Sequence, residues 1–162
     1  MSQNSEPIEN RPIIVYDGVC HLCNGSLNFV VRHQRAKPSF YFVPFQSEEG
    51  RYICEHYGIA ADDLSTFLYV SGGNVEGRSD AWLTIMAQLA FPYDALARLA
   101  RIVPKAIRDF IYDSIGKRRY RWFGQSEVCL IPGAEGADAV PDLETVKSIV
   151  HIKHENSESE TQ

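Results

Sequence analysis

Two cysteines three positions apart, Cys20 and Cys23, lie in the stretch Asp17-Gly18-Val19-Cys20-His21-Leu22-Cys23. On a first helical turn, thiols at i and i+3 can come within the ~4.4–6.8 Å Cα separation that a disulfide requires. The free N–H groups of that turn and the helix dipole favour a thiolate on the first of the pair, lowering its pKa and preparing it to attack another disulfide. The spacing thus predicts a two-electron switch in which Cys20 attacks a substrate sulfur and Cys23 then closes on Cys20. A cationic His21 would stabilise the Cys20 thiolate. Asp17 reads two ways: as a base that helps deprotonate Cys23, or as an Asp-Gly turn former bonding local N–H groups. In either role its negative charge raises the thiol pKa values. The rival for the pair is half a zinc site, which wants four N/S ligands; Cys54, Cys129, His21, His33 and His56 remain as candidates and none forms a second knuckle.

The elements that must position these thiols are readable from periodicity. Pro12 to Tyr16 is a short, β-branched apolar run closed by Asp17-Gly18, a buried strand. From Leu22 the period turns helical, with Cys23, Leu27, Val30 and Val31 on one face and Asn24, Asn28, Arg32 and Arg35 opposite. Cys23 should therefore point inward and Cys20, at the helix mouth, outward. Phe40 to Phe45 reads as a second strand, and Glu48 to Tyr57 as a helix capped by Gly58. Thr66 to Val70 and Val75 to Arg78 flank the hairpin signal Ser71-Gly72-Gly73-Asn74. Ser79 is placed to cap a helix bearing Trp82, Ile85, Met86 and Leu89 on one stripe. The order β-α-β-α-β-β-α is the thioredoxin-like arrangement, an α/β fold that sets the first helix's N-terminus at the sheet edge. Helical stripes follow: Leu96, Leu99 and Val103, then Ile107, Phe110, Ile111 and Ile115, divided at Pro104.

Composition narrows the class. The expected organisation is a flexible N-terminus (1–11), one domain (12–133) with a helical extension at about 91–123, and an acidic, partly disordered tail (134–162). Ala134 to Gln162 carries seven acids and two bases, so the net −5 of the chain resides there and the rest is neutral overall. That balance argues against a nucleic-acid binder. No segment approaches the ~18 apolar residues of a membrane span. Met1 to Asn10 is polar and has no signal-peptide core; a cytoplasmic setting is expected, where C-x-x-C reads as redox or metal-binding.

The segment Asp17 to Cys23 resembles the D-x-x-C-x-x-C signature of the DCC family of predicted thiol–disulfide oxidoreductases. Arg78-Ser79-Asp80-Ala81 and Arg119-Tyr120-Arg121-Trp122-Phe123-Gly124, followed by Cys129, are similar to that family's other recurrent segments. The likeness runs from about Pro12 to Pro132. It implies a thioredoxin-like fold and thiol–disulfide exchange, and says little of the substrate. One departure matters. Thioredoxin-like enzymes usually place a cis-proline before the third strand, facing the cysteines; here Leu64-Ser65-Thr66 stands there and Pro44 lies in the wrong strand. Ser65 or Thr66 takes over that role, or the site is not built for peptide disulfides.

The remaining motifs have simpler readings. Cys54 is expected as a buried core thiol and Cys129 as a packing residue rather than a third redox thiol. Tyr120, Trp122 and Phe123, interleaved with Arg119 and Arg121, are expected to fold back and wall the redox site, with Trp122 in the groove, rather than to stack on bases. The paired helices between Pro92 and Gly116 are expected to cap the sheet; rest on a membrane surface is the lesser alternative. Arg78 is a candidate to hold an anionic substrate, and Ser79 and Asp80 suffice as a helix start. The expectation is exchange through Cys20 and Cys23 with a protein or low-molecular-weight thiol or disulfide partner, no bound cofactor, no metal, no nucleic acid and no membrane contact. The alternatives are a non-catalytic thioredoxin-like binding module or a zinc-binding C-x-x-C site.

Overall fold

The computed structural model describes residues 11–35, 40–60, 67–125 and 141–156. In chain order these form β1 (Ile13–Tyr16), α1 (His21–His33), β2 (Tyr41–Pro44), α2 (Glu48–His56), β3 (Leu68–Ser71), β4 (Asn74–Gly77), α3 (Arg78–Ala87), α4 (Tyr93–Ala100), α5 (Lys105–Phe123) and α6 (Leu143–Asn156). The sheet order is β2-β1-β3-β4. β1 runs parallel to β2, with Ile13 opposite Tyr41, and antiparallel to β3, with Ile13 opposite Val70. This is the thioredoxin-like arrangement. β1 is interior, so the helix that follows it begins at the carboxyl end of a central strand.

β1 is buried along its whole length because both sheet faces are covered. Ile14 and Tyr16 point to one side, where Phe42, Tyr69, the α1 residues Leu27, Val30 and Val31, and Ile85 of α3 form one core. Ile13 and Val15 point to the other, against Val43, Val70, Ile53 and Cys54 of α2, and Val146, Ile149 and Val150 of α6. The sequence reading assigned no element within 141–156. Those three apolar residues, at helical spacing, are what seat α6 on the sheet.

Local signals behave as their chemistry requires. Gly72 and Gly73 both have positive φ (55° and 71°), the geometry of a two-residue hairpin turn between β3 and β4. Gly58 (φ 64°) follows α2, and the Ile59 N–H reaches the Cys54 carbonyl at 2.8 Å, closing a Schellman-type end. Ser47 caps the other end of α2, its Oγ accepting from the Gly50 N–H at 3.1 Å. Pro104 separates α4 from α5 as expected.

Two expectations are corrected. Ser79 does not cap α3. β4 runs into the helix without a loop, so Gly77 takes the N-cap position and Arg78 the left-handed conformation (φ 58°). Ser79 then lies inside the helix, buried, and its Oγ donates to Asp109 and accepts from Arg108 (3.2 Å), tying α3 to α5. Nor do the stripes of α4 and α5 cap the sheet. These helices pack on α3 and α1, and Leu96, Leu99, Ile107, Phe110, Ile111 and Ile115 are left exposed. Periodicity shows that a helix has an apolar face, not what covers it.

Candidate active site

Cys20 occupies the N-cap position of α1 in extended conformation (φ −86°, ψ 121°), and Cys23 sits on the first turn. Both are free thiols. Cys23 donates a hydrogen bond to Cys20; this, with the backbone N–H groups of Cys23 and Leu22 and the charge of Arg119, outweighs burial and lowers the Cys20 pKa to about 6. The same hydrogen bond, then burial and the charge of Cys20, drive the Cys23 pKa far upward. Two adjacent thiols are thereby split into a thiolate and a held proton.

Cys20 does not face outward. It is fully buried, and Gln125, just beyond α5, pairs with it as an isolated antiparallel bridge. Helical patterning located the helix mouth, but a contact 105 positions away in the chain has no local signature.

Asp17 is also buried, and both of its oxygens are engaged. Oδ1 accepts from the Val19 N–H (3.1 Å) and from Gln46 Nε2 (2.9 Å). Oδ2 accepts from Arg119 Nη2 (2.9 Å) and from the Tyr120 hydroxyl. Asp17 therefore makes the local turn bond and also anchors a buried cation. Arg119 extends its other terminal nitrogen toward Cys23 Sγ at 3.9 Å. Its guanidinium lies 4.5 Å from the Tyr120 ring centroid. Burial, then the bond to Asp17, raises the Tyr120 pKa, keeping its proton in place.

Beside Cys23 lies a cavity of about 500 Å³, walled chiefly by Leu22, Phe67, Trp82, Ile111 and Ile115, with Arg119 at its polar end. Tyr112 holds the rim of this space, its hydroxyl accepting from the Phe67 N–H at 3.0 Å. Among the described residues no three His, Cys, Asp or Glu side chains converge to hold a metal ion.

The structure brings Asp17, Cys20 and Cys23 together and leaves other expected site residues apart. His21 is exposed and is not among the groups acting on Cys20; the nearby charge that does act is Arg119's. Arg78 is half exposed and faces Asp113 (3.7 Å). Trp122 is 59 % exposed, with the Arg118 guanidinium 5.8 Å from its ring, and does not line the cavity. The aromatic segment therefore walls the site through Tyr120 rather than as a group. Ser65, Thr66 and Cys129 lie outside the described residues. Cys54 is buried in the second core, its pKa raised by burial and by Glu55.

Arg119, Gln46 and Tyr112 were not singled out as site residues from sequence. For Arg119 there was a signal: Ile111, Ile115 and Arg119 follow at four-residue steps, and all three line the cavity. A lone cation on an apolar helical face needs a buried anion, and Asp17 is that anion.

This fold, with a cysteine pair at the first helix, defines a thioredoxin-like redox protein class, and the comparisons agree. The family model described as DCC1-like thiol-disulfide oxidoreductase matches residues 14–125, and the chain belongs to that family. It is 38 % identical over 121 residues to an Arabidopsis thaliana protein named as a chloroplastic DCC family protein, covering 75 % of this chain and 70 % of that one. It is 35 % identical over 128 residues to the Bacillus subtilis protein YuxK, named as uncharacterized, covering 79 % and 91 %. No solved structure matches significantly.

Proposed function

We propose that this protein catalyses thiol–disulfide exchange through Cys20 and Cys23. The observation that carries the reading is a pair of free thiols at the N-cap and first turn of α1 with the Arg119 guanidinium 3.9 Å from Cys23 Sγ, an arrangement that lowers the Cys20 pKa and raises that of Cys23. Near neutral pH Cys20 is a thiolate. It attacks one sulfur of a substrate disulfide, forming a mixed disulfide and expelling the other sulfur as a thiolate. With Cys20 neutral, the chief influence that held the proton on Cys23 is gone, and Arg119 favours the Cys23 anion. Cys23 gives its proton to the departing thiolate and attacks Cys20 Sγ, breaking the mixed disulfide and releasing the substrate's second sulfur as a thiolate. The products are the Cys20–Cys23 disulfide and a reduced substrate, two electrons having passed outward; the reverse sequence oxidises a dithiol.

Asp17 acts here as a positioning residue. Service as a base for Cys23 would compete with the four donors it already satisfies. Because Cys20 is buried, attack also requires its sulfur to become exposed. Protein or low-molecular-weight disulfides are the substrate class, and a C-x-x-C pair of this kind suits a reducing cytoplasm. No helix among the described residues is long and apolar enough to cross a membrane.

The test is equilibration across glutathione buffers, followed by acid quench, alkylation and peptide mapping. A reversible Cys20–Cys23 disulfide with a potential between roughly −270 and −120 mV is expected. A pair that never closes, or closes only with loss of structure, would refute exchange and leave the binding-module reading.

A further inference from the structure

Among the described residues, the large exposed apolar side chains all fall between Phe91 and Phe123. Phe91 (81 %), Ile102 (77 %) and Phe110 (74 %) are the most open, and Leu99 and Ile107 extend the surface along α4 and α5. A soluble monomer rarely exposes so many large apolar side chains in one stretch of chain without use. The charge is segregated in the same way. Residues 91–125 hold eight Lys and Arg against three Asp, a net +5, in a chain whose total is −5. The three acids are engaged: Asp94 with Arg98 (3.8 Å), Asp109 with Lys105 (2.9 Å) and Asp113 with Arg78 (3.7 Å). Lys117, Arg118 and Arg121 are exposed and pair with no acid among the described residues.

These cations share the exposed face of α5 with the apolar side chains. Lys117 follows Phe110 by seven residues and Arg118 follows Ile107 by eleven, which returns each to the same side of the helix. Trp122, four beyond Arg118, lies on that side as well, next to the exposed Phe123. Apolar side chains with flanking Lys and Arg and an aromatic end are the composition that lies in a lipid–water interface.

We propose that the α4–α5 face seats the protein on an anionic lipid bilayer, with the apolar side chains entering the headgroup boundary and Lys117, Arg118 and Arg121 meeting lipid phosphates. This revises the expectation of no membrane contact. A second copy of the chain fits this face less well. A two-fold pairing of this face on itself gives the exposed Lys117, Arg118 and Arg121 no free acid of residues 91–125 to meet. A bilayer with anionic lipid satisfies both the apolar and the charged parts. The inference does not depend on the redox reading.

Co-sedimentation of the full chain with vesicles tests it, comparing pure phosphatidylcholine with phosphatidylcholine containing phosphatidylserine. The protein is expected to sediment with the anionic vesicles, to be released by salt, and to ignore the neutral ones. Replacing Lys117, Arg118 and Arg121 with alanine should weaken binding by roughly fivefold per cation, on the order of a hundredfold together. Ile102→Asp with Phe110→Asp should abolish binding while leaving helical content and the Cys20 titration unchanged. Absence of binding to anionic vesicles, equal binding to neutral ones, or full binding by the aspartate variant would each overturn the proposal. So would a solution dimer that Phe110→Asp dissociates.

Discussion

Arg119 serves two masters, the Asp17 carboxylate and the thiol pair, and substitution can separate the two effects. Arg119→Met removes the charge and keeps most of the side-chain length. It leaves Asp17 buried without its cation, and breaking a buried ion pair in this way costs about 3–5 kcal/mol. Asp17→Asn with Arg119→Met removes both charges and should restore most of that stability. The thiol effect should persist in the double variant, because it depends on the guanidinium itself. An opposite charge within about 4–6 Å shifts a pKa by roughly 1–3 units. Arg119 ranks behind the Cys23 hydrogen bond as an influence on Cys20, so the low end applies, and the Cys20 pKa should rise from about 6 to roughly 7. At pH 6 the thiolate fraction then falls from about half to about a tenth, roughly fivefold. Urea unfolding reads the first effect. Iodoacetamide alkylation rates against pH, compared between the double variant and Asp17→Asn alone, read the second. An unchanged Cys20 titration in that comparison would refute the electrostatic role of Arg119. If Arg119→Met were as stable as the double variant, the buried-pair argument would fail.

Cys23→Ala removes the strongest influence on Cys20 and should raise its pKa further than loss of Arg119 does, in the same alkylation titration. His21→Leu should move the Cys20 titration by less than about 0.3 of a pH unit, because His21 is exposed and is not among the groups that act on that thiol. The reduced protein should also gain stability as pH rises. The folded Cys20 pKa of about 6 lies below the value near 8.5 of an unfolded cysteine, so the thiolate's contribution is complete above about pH 8.5 and is lost as pH falls through about 6. Melting temperatures of the reduced protein minus those of Cys20→Ser should trace that window; a flat difference would contradict the lowered pKa. Gly50→Ala should cost at least about 1–3 kcal/mol in urea, since a Cβ there would lie 2.3 Å from the Pro44 carbonyl oxygen and 2.5 Å from Phe45 Cα, both backbone atoms.

Legibility from sequence followed the range of the interaction. The core order β-α-β-α-β-β-α rests on signals confined to a few neighbours: an apolar run at Ile13 to Tyr16, a change of period at Leu22, Gly72-Gly73 in the hairpin turn and Gly58 beyond α2. Each of these also holds in the structure. The placement of Ser79 failed for a reason of connectivity. Serine favours a cap, but with no loop between β4 and α3 the cap position fell on Gly77, and the hydroxyl turned to Asp109 on a helix thirty residues away. The α4–α5 stripes failed differently, since the same periodicity describes a face turned to a core and a face turned to an external partner.

The candidate site shows the same division between local and distant determinants. Cys20, Cys23 and Asp17 were visible because their chemistry is written in a seven-residue segment. The Cys23 hydrogen bond to Cys20 and the α1 N–H groups set the two thiols apart locally, whereas the positive charge that favours the anion of either one comes from Arg119, 96 positions beyond Cys23. That origin explains why a helical extension belongs to this site at all. An exposed histidine between the cysteines would offer only a charge that water screens. A guanidinium buried against Asp17 stays charged throughout the working pH range and acts through a medium that screens it far less. The cost is a buried carboxylate that must be held by Gln46, Val19 and Tyr120 as well. On this reasoning α5 is the outer wall of the redox site, and its opposite, apolar and basic face is what remains to meet a surface.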